Sequence, residues 1–206
     1  MKKTIFTISR EFASGGRLVG QMLAKELNIP FYDRELIEMA AERSGLSPEF
    51  IEKAEENASS SFLYGLATHT HTANGYFLHY DMPISDKAFL AQAAVIREIA
   101  EKGSCVILGR CAGYILRDDP ACINIFLHSS LEDRLNRAVE VYGMERKGLA
   151  DKLVKVDRGR ANYHKYYTGE QWRDIHAYDI AINTGVSGIE GAVKAIIAIA
   201  QARDKT

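Results

Sequence analysis

The chain has little of what would mark it as secreted, membrane-spanning or repetitive. Its three cysteines, Cys105, Cys111 and Cys122, show no CxxC spacing. An odd number so placed gives no disulfide framework and fits reduced thiols in the cytoplasm. Near its start there is no long apolar run: Met1-Lys2-Lys3 is basic, but only Thr4 to Ile8 follow before Ser9-Arg10-Glu11. That is too short for a secretory core or a span, so a cytoplasmic protein without a membrane partner is expected. Internal repeats and low-complexity tracts are also lacking. The net charge of −1 gives no overall basic footprint for nucleic acid.

What is present suits a packed α/β unit. At 206 residues and 47% hydrophobic content, the composition predicts one domain over residues 1–206. Strand-like runs recur at Thr4–Ile8, Ile29–Tyr32, Ser104–Leu108, Cys122–Leu127 and Ile180–Asn183, with helical patterns between them. Such alternation predicts a parallel sheet covered by helices. Ser47-Pro48 places proline at a first helical position. Ser130 to Asp133 and Ser187 to Glu190 read as capping boxes, the second opening a last helix near Gly188 to Arg203. Charge is uneven: acids outnumber bases eight to three between Phe31 and Asn57, and bases outnumber acids nine to four between Arg134 and Lys165.

The most informative stretch is the first strand with Ser9-Arg10-Glu11-Phe12-Ala13-Ser14-Gly15-Gly16-Arg17 directly behind it, then the helical pattern Leu18, Met22, Leu23, Leu27. Strand, glycine-containing loop and helix in that order form a phosphate cradle, because glycines let backbone N–H groups converge on phosphate oxygens at the favourable end of the helix dipole. The usual lysine and the magnesium-holding hydroxyl after it are missing, since Gly15-Gly16-Arg17 stands there. Arg10 or Arg17 would replace the charge, and Ser14 is the nearest hydroxyl. The competing reading is a plain tight turn.

Two further stations matter. Cys105 to Leu108 is a buried strand ending in Gly109-Arg110, which delivers a guanidinium to the sheet edge where α/β proteins bind ligands. Val156-Asp157-Arg158-Gly159-Arg160 lies in a basic stretch, where arginines on a closing lid would stabilise a transferring phosphoryl group. A solvated basic helix is the plainer alternative. Tyr163, Tyr166 and Tyr167 interleave with the bases and suggest single-stranded nucleic acid, which the acidic total charge argues against.

Together these stations resemble the nucleoside monophosphate kinases with a phosphate loop, and most closely the cytidylate kinase-like family. The resemblance rests on Ile8-Ser9-Arg10-Glu11-Phe12 with Ser14-Gly15-Gly16, on Phe31-Tyr32-Asp33-Arg34-Glu35-Leu36-Ile37, and on Val106-Ile107-Leu108-Gly109-Arg110. It implies a P-loop fold with a five-stranded parallel sheet, an acceptor-binding insertion over about residues 34–103, and a lid over about residues 146–169. It further implies ATP with Mg2+, a nucleotide or small phosphorylated acceptor, an acceptor-site carboxylate at Asp33 and an acceptor arginine at Arg110. Donor phosphates would be held by Arg10, Ser14, Gly15, Gly16 and Arg17; Arg17, Arg158 and Arg160 would act in transfer. Cys111 replaces the aspartate that follows Gly-Arg in cytidylate kinases, so the base preference does not carry over.

Asp33 also reads as the N-cap of the following helix. His69, His71 and His79 read as solvated loop histidines, not as metal ligands. Cys111 reads as a small buried cysteine, although Arg110 beside it would favour a thiolate. Trp172 and Tyr178 read as packing residues. The expected activity is phosphoryl transfer from ATP, with a non-catalytic nucleotide-binding protein on the same fold as the alternative.

Overall fold

The computed structural model describes residues 2–57 and 83–205. His69, His71 and His79 lie outside the described residues.

Strand β1 (Ile5–Arg10) is followed by helix α1 (Gly16–Leu27), β2 (Phe31–Tyr32), α2 (Glu35–Ser44), α3 (Pro48–Asn57), α4 (Ile84–Lys102) and β3 (Cys105–Leu108). The chain continues through α5 (Ala112–Ile115), β4 (Cys122–His128), α6 (Leu131–Glu140), α7 (Leu149–Thr168), β5 (Ile180–Asn183) and α8 (Thr184–Arg203). The strands pair in parallel in the order β2-β3-β1-β4-β5, with Ile8 beside both Leu108 and Ile125. β1 is therefore central, and the order reverses around it. Its carboxyl end is the topological switch point at which open α/β sheets bind ligands.

Apolar residues on both faces explain why β1 is central. Phe6 and Ile8 pack with Val19 and Leu23 of α1 and Val193 and Ile196 of α8. On the other face Ile5 joins Cys105 and Ile107 with Val95, Ile96 and Ile99 of α4. Each fully buried Ile or Phe contributes about 1.5–3 kcal/mol, which holds the loop after β1 on a rigid support.

The caps sort the sequence signals. Ser47 Oγ accepts the Phe50 N–H and Ser130 Oγ accepts the Asp133 N–H, as the patterns predict. The last helix differs from expectation: Asn183 caps it by accepting the Gly185 N–H, it begins at Thr184, and it kinks at Gly188, whose φ is 67°. Ser187 donates to the Asn183 carbonyl instead of capping a helix of its own. By length and composition α8 is also apolar enough to cross a membrane, but Ala192, Val193, Ile196 and Ala200 are buried in the core.

Candidate functional site

The loop between β1 and α1 is held open by its own carbonyls. The Arg10 carbonyl accepts from Arg160 (3.0 Å), that of Phe12 from Arg134 (3.3 Å), that of Ala13 from Arg137 (3.0 Å) and that of Ser14 from Thr184 Oγ1 (2.6 Å). The Glu11 carbonyl accepts the Ser14 N–H at 3.2 Å. Carbonyls from residues 10 to 14 are thus occupied by protein donors, which leaves the loop's electropositive side for an anion. Ala13 adopts φ 59° and Gly15 φ 86°, and Gly15 caps α1 with no side-chain bond to its first N–H groups. An uncapped helix start after a left-handed glycine is the backbone arrangement that receives phosphate.

Arg10 lies across this loop. A Cβ on Gly16 would sit 2.7 Å from its Cβ and Cγ, and one on Gly109 would sit 2.2 Å from Nη1. The two glycines therefore form the trough in which the Arg10 side chain runs from the end of β1 to the end of β3. Burial pushes its pKa down, Asp33 pushes it up and Arg17 pushes it down. Arg160 and Arg110 share this environment: burial lowers both, and proximity to Arg10 lowers both further. Guanidiniums of Arg110 and Arg160 held down by the charge of Arg10 favour an anion beside them.

Arg110 reaches the cluster through a sharp turn. Gly109, Arg110 and Cys111 have φ of 79°, 62° and 54° in succession. Two non-glycine residues held left-handed cost about 1–3 kcal/mol each, a strain typical of functional turns.

Arg17 and Asp33 form an ion pair with side chains 53% and 12% exposed. The Arg17 guanidinium thus points at Asp33, and Asp33 is not a helix cap: α2 begins at Glu35, whose carboxylate accepts the Asp33 N–H (3.1 Å). Ser14 is fully buried, and its hydroxyl lies 2.9 Å from the Glu11 carbonyl. Arg158 is exposed whereas Arg160 is partly buried against Phe12. Residues two apart on a helix diverge by about 200°, so only one of the pair can face the loop.

The loop's hydroxyl is missing, Ser14 Oγ is turned inward and Asp33 is paired. The side chains present do not fit a magnesium ion held by the protein. Among the described residues, no group of three or more His, Cys, Asp or Glu is placed to hold a metal.

Sequence reasoning missed a buried ionic network that fastens α7 to the loop. Asp157 accepts the Phe12 N–H at 2.7 Å and Arg134 Nη1 at 2.5 Å, and Arg173 reaches Glu11 at 2.8 Å. Arg134 Nε lies 3.6 Å from Glu11. Charged residues inside apolar surroundings, Glu11 beside Phe12 above all, were the available signal.

Cys111 is buried, and burial pushes its thiol up to about 12 despite Arg110, so no thiolate forms. Its sulfur lies 3.8 Å from His164 Nδ1. Burial lowers the His164 pKa below its ordinary 6.5. As pH falls below 6.5 the unfolded chain takes up a proton that the folded one resists, so stability falls from there down through the folded pKa. Urea midpoints measured from pH 7.5 to pH 5 are expected to decline, and more shallowly in His164→Gln. Trp172 and Tyr178 pack on Phe126, as expected.

An all-parallel five-stranded sheet with a glycine-capped loop at its switch point is the P-loop fold. Within that class, the pattern of the cytidylate kinase-like family matches residues 5–186, and the chain belongs to this family. A solved structure of an uncharacterized protein from Eubacterium ventriosum is similar, with 31% identity, a TM-score of 0.73, and coverage of 98% of this chain and 99% of that one. The shikimate kinase of Bacteroides thetaiotaomicron shares the fold at 14% identity and a TM-score of 0.54, over 97% of this chain and 99% of its own. That of Acinetobacter baumannii, solved with shikimate, does so at 12% identity and 0.52, over 98% and 95%. No curated protein matches in sequence.

Proposed function

We propose that this protein moves the γ-phosphate of a nucleoside triphosphate such as ATP to a nucleotide or small phosphorylated acceptor. The observation that carries the reading is Arg10, whose stem packs on Gly16 of the loop that has no lysine and whose guanidinium reaches Gly109, close enough to Arg110 and Arg160 to lower the pKa of both. The N–H groups of Gly15, Gly16 and Arg17 would cradle the donor phosphates, with Ser14 shaping the loop. Arg10 would supply the lysine's charge, Arg110 would hold the acceptor phosphate and Arg160 would close over the transferring group. Phosphoryl transfer needs position and charge neutralisation more than a protein nucleophile, which suits a site built from guanidiniums.

The Arg17–Asp33 pair favours a second reading, a nucleotide-binding protein without turnover, because it ties a donor-side cation to an acceptor-side anion. Titration calorimetry with ATP, followed by an assay of the same protein for ADP once phosphorylated acceptors are added, separates the two. Transfer predicts binding and ADP formation, and the second reading predicts binding alone. No ATP binding sinks both.

A further inference from the structure

Helices α1 and α8 cover the same face of the sheet, and a groove of about 1110 Å3 lies between them, lined only by residues of these two helices. Leu18, Met22 and Ile189 give it an apolar lining, and none of Arg10, Arg17, Arg110 or Arg160 reaches it. The kink at Gly188 holds it open, since a Cβ added there would meet nothing within 4 Å.

The groove continues into an uncovered helix face. Only 22% of the most apolar 18-residue stretch of α8 is buried. Its inward side, with Ala192, Val193, Ile196 and Ala200, belongs to the core. Its outward side carries Val186, 85% exposed, and the exposed Ile199, with Gly191, Ala195 and Ala198 between them, none of these buried. Small side chains at the surface let another helix approach to the short end of the 8–10 Å range of helix packing.

The charges beside this seam select the occupant. Glu190 and Lys194 stand one turn apart on α8, and Lys25 and Glu26 stand together on α1, all exposed. Two acids and two bases leave the groove neutral, which favours neither an anionic nor a cationic partner but suits a self-complementary contact. A two-fold axis crossing α8 between Glu190 and Lys194 lays the helix antiparallel to its twin and sets each Glu190 opposite the partner subunit's Lys194. At about 10 Å breadth and 1.5 Å per residue, the 12 residues of α1 and 20 of α8 present about 500 Å2 in projection, of the order of the 800 Å2 per copy that stable interfaces bury.

We propose that the α1–α8 face is a dimer interface between two copies of this chain, α8 packing antiparallel on itself with Glu190 paired to the partner subunit's Lys194. The proposal does not rest on the phosphate-transfer reading.

Sedimentation equilibrium of the full chain should give twice the chain mass. Glu190→Lys and Lys194→Glu each set like charges opposite one another at two places, so either variant alone should raise the dimer dissociation constant at least about tenfold. Mixed in equal parts, the two variants regain both opposite-charge pairs in a heterodimer and should sediment as the wild type does. Ala195→Arg, which puts a long charged side chain into the seam, should give a monomer whose cooperative unfolding shows that it is folded. Wild-type protein at the chain mass at every loading concentration, single charge variants that dimerise as well as wild type, a mixture that stays monomeric, or an Ala195→Arg dimer overturns the proposal. So does a wild-type monomer that floats with phosphatidylcholine vesicles, which would assign the face to a lipid surface.

Discussion

Arg10→Gln is expected to lower phosphoryl transfer on the order of 10³-fold while leaving the fold at least as stable as before. The loss follows from the work assigned to the guanidinium: a cation placed on transferring phosphate in a desolvated site carries roughly 10³–10⁵ in rate. The stability half follows from sign. Burial lowers the Arg10 pKa, so the folded state disfavours its charged form, and removing that charge relieves the fold. A structural arginine would behave oppositely, and its loss would lower stability. Arg10→Lys restores the charge without the planar fork and should fall between the two in rate. Initial rates and thermal midpoints of the three proteins, measured side by side, check this; an unchanged rate in Arg10→Gln would remove Arg10 from the site.

Asp157→Ala should act in reverse, chiefly on stability. The Asp157 side chain is 4% exposed and joins the Phe12 N–H to Arg134, whose own side chain is 7% exposed. Its removal leaves the loop N–H unpaired and leaves Arg134 with only the Phe12 carbonyl at 3.3 Å and Glu11 at 3.6 Å. Breaking a buried pair from one side costs about 3–5 kcal/mol, and the urea midpoint should drop accordingly. Because the same carboxylate fastens α7 to the loop that Arg160 also touches, nucleotide affinity should fall with it. Asp157→Asn, which keeps an acceptor for the Phe12 N–H, should recover part of the loss. A midpoint unaltered in the alanine variant would mean that the network does not hold the helix.

The parts of this molecule that were legible in its sequence are those written locally. Ser104 to Leu108 and Ile180 to Asn183 are short β-branched or apolar runs bounded by turns; the first forms β3 one residue shorter, as Cys105–Leu108, and the second forms β5 with those limits. The glycine loop, the Ser130 cap and Gly109-Arg110 are likewise contiguous patterns whose chemistry is fixed by neighbours in the chain. What stayed hidden depends on distant partners. Arg17 meets Asp33 across α1 and β2, and Asp157 meets Phe12 from 145 residues away; no spacing rule encodes either. Arg158 and Arg160 looked equivalent as letters, and only the helical phase of α7 separates them. Serine and glutamate around Gly188 match a capping pattern, but Asn183 starts the helix five residues earlier and Gly188 only kinks it. The environment of Cys111 shows the same limit: Arg110 next in sequence argued for a thiolate, but burial against α7 decides the matter.

In the proposed reaction a phosphate loop without its lysine supports transfer because Arg10 lies in the trough formed by Gly16 and Gly109. Phosphorus NMR of the protein mixed with ATP, magnesium and a panel of nucleoside monophosphates and phosphorylated small molecules tests it most directly. Resonances of ADP and of one phosphorylated acceptor should grow together, and Arg10→Gln should slow the growth of both on the order of 10³-fold. ATP bound and unchanged with every acceptor, in a protein shown to be folded, would contradict it.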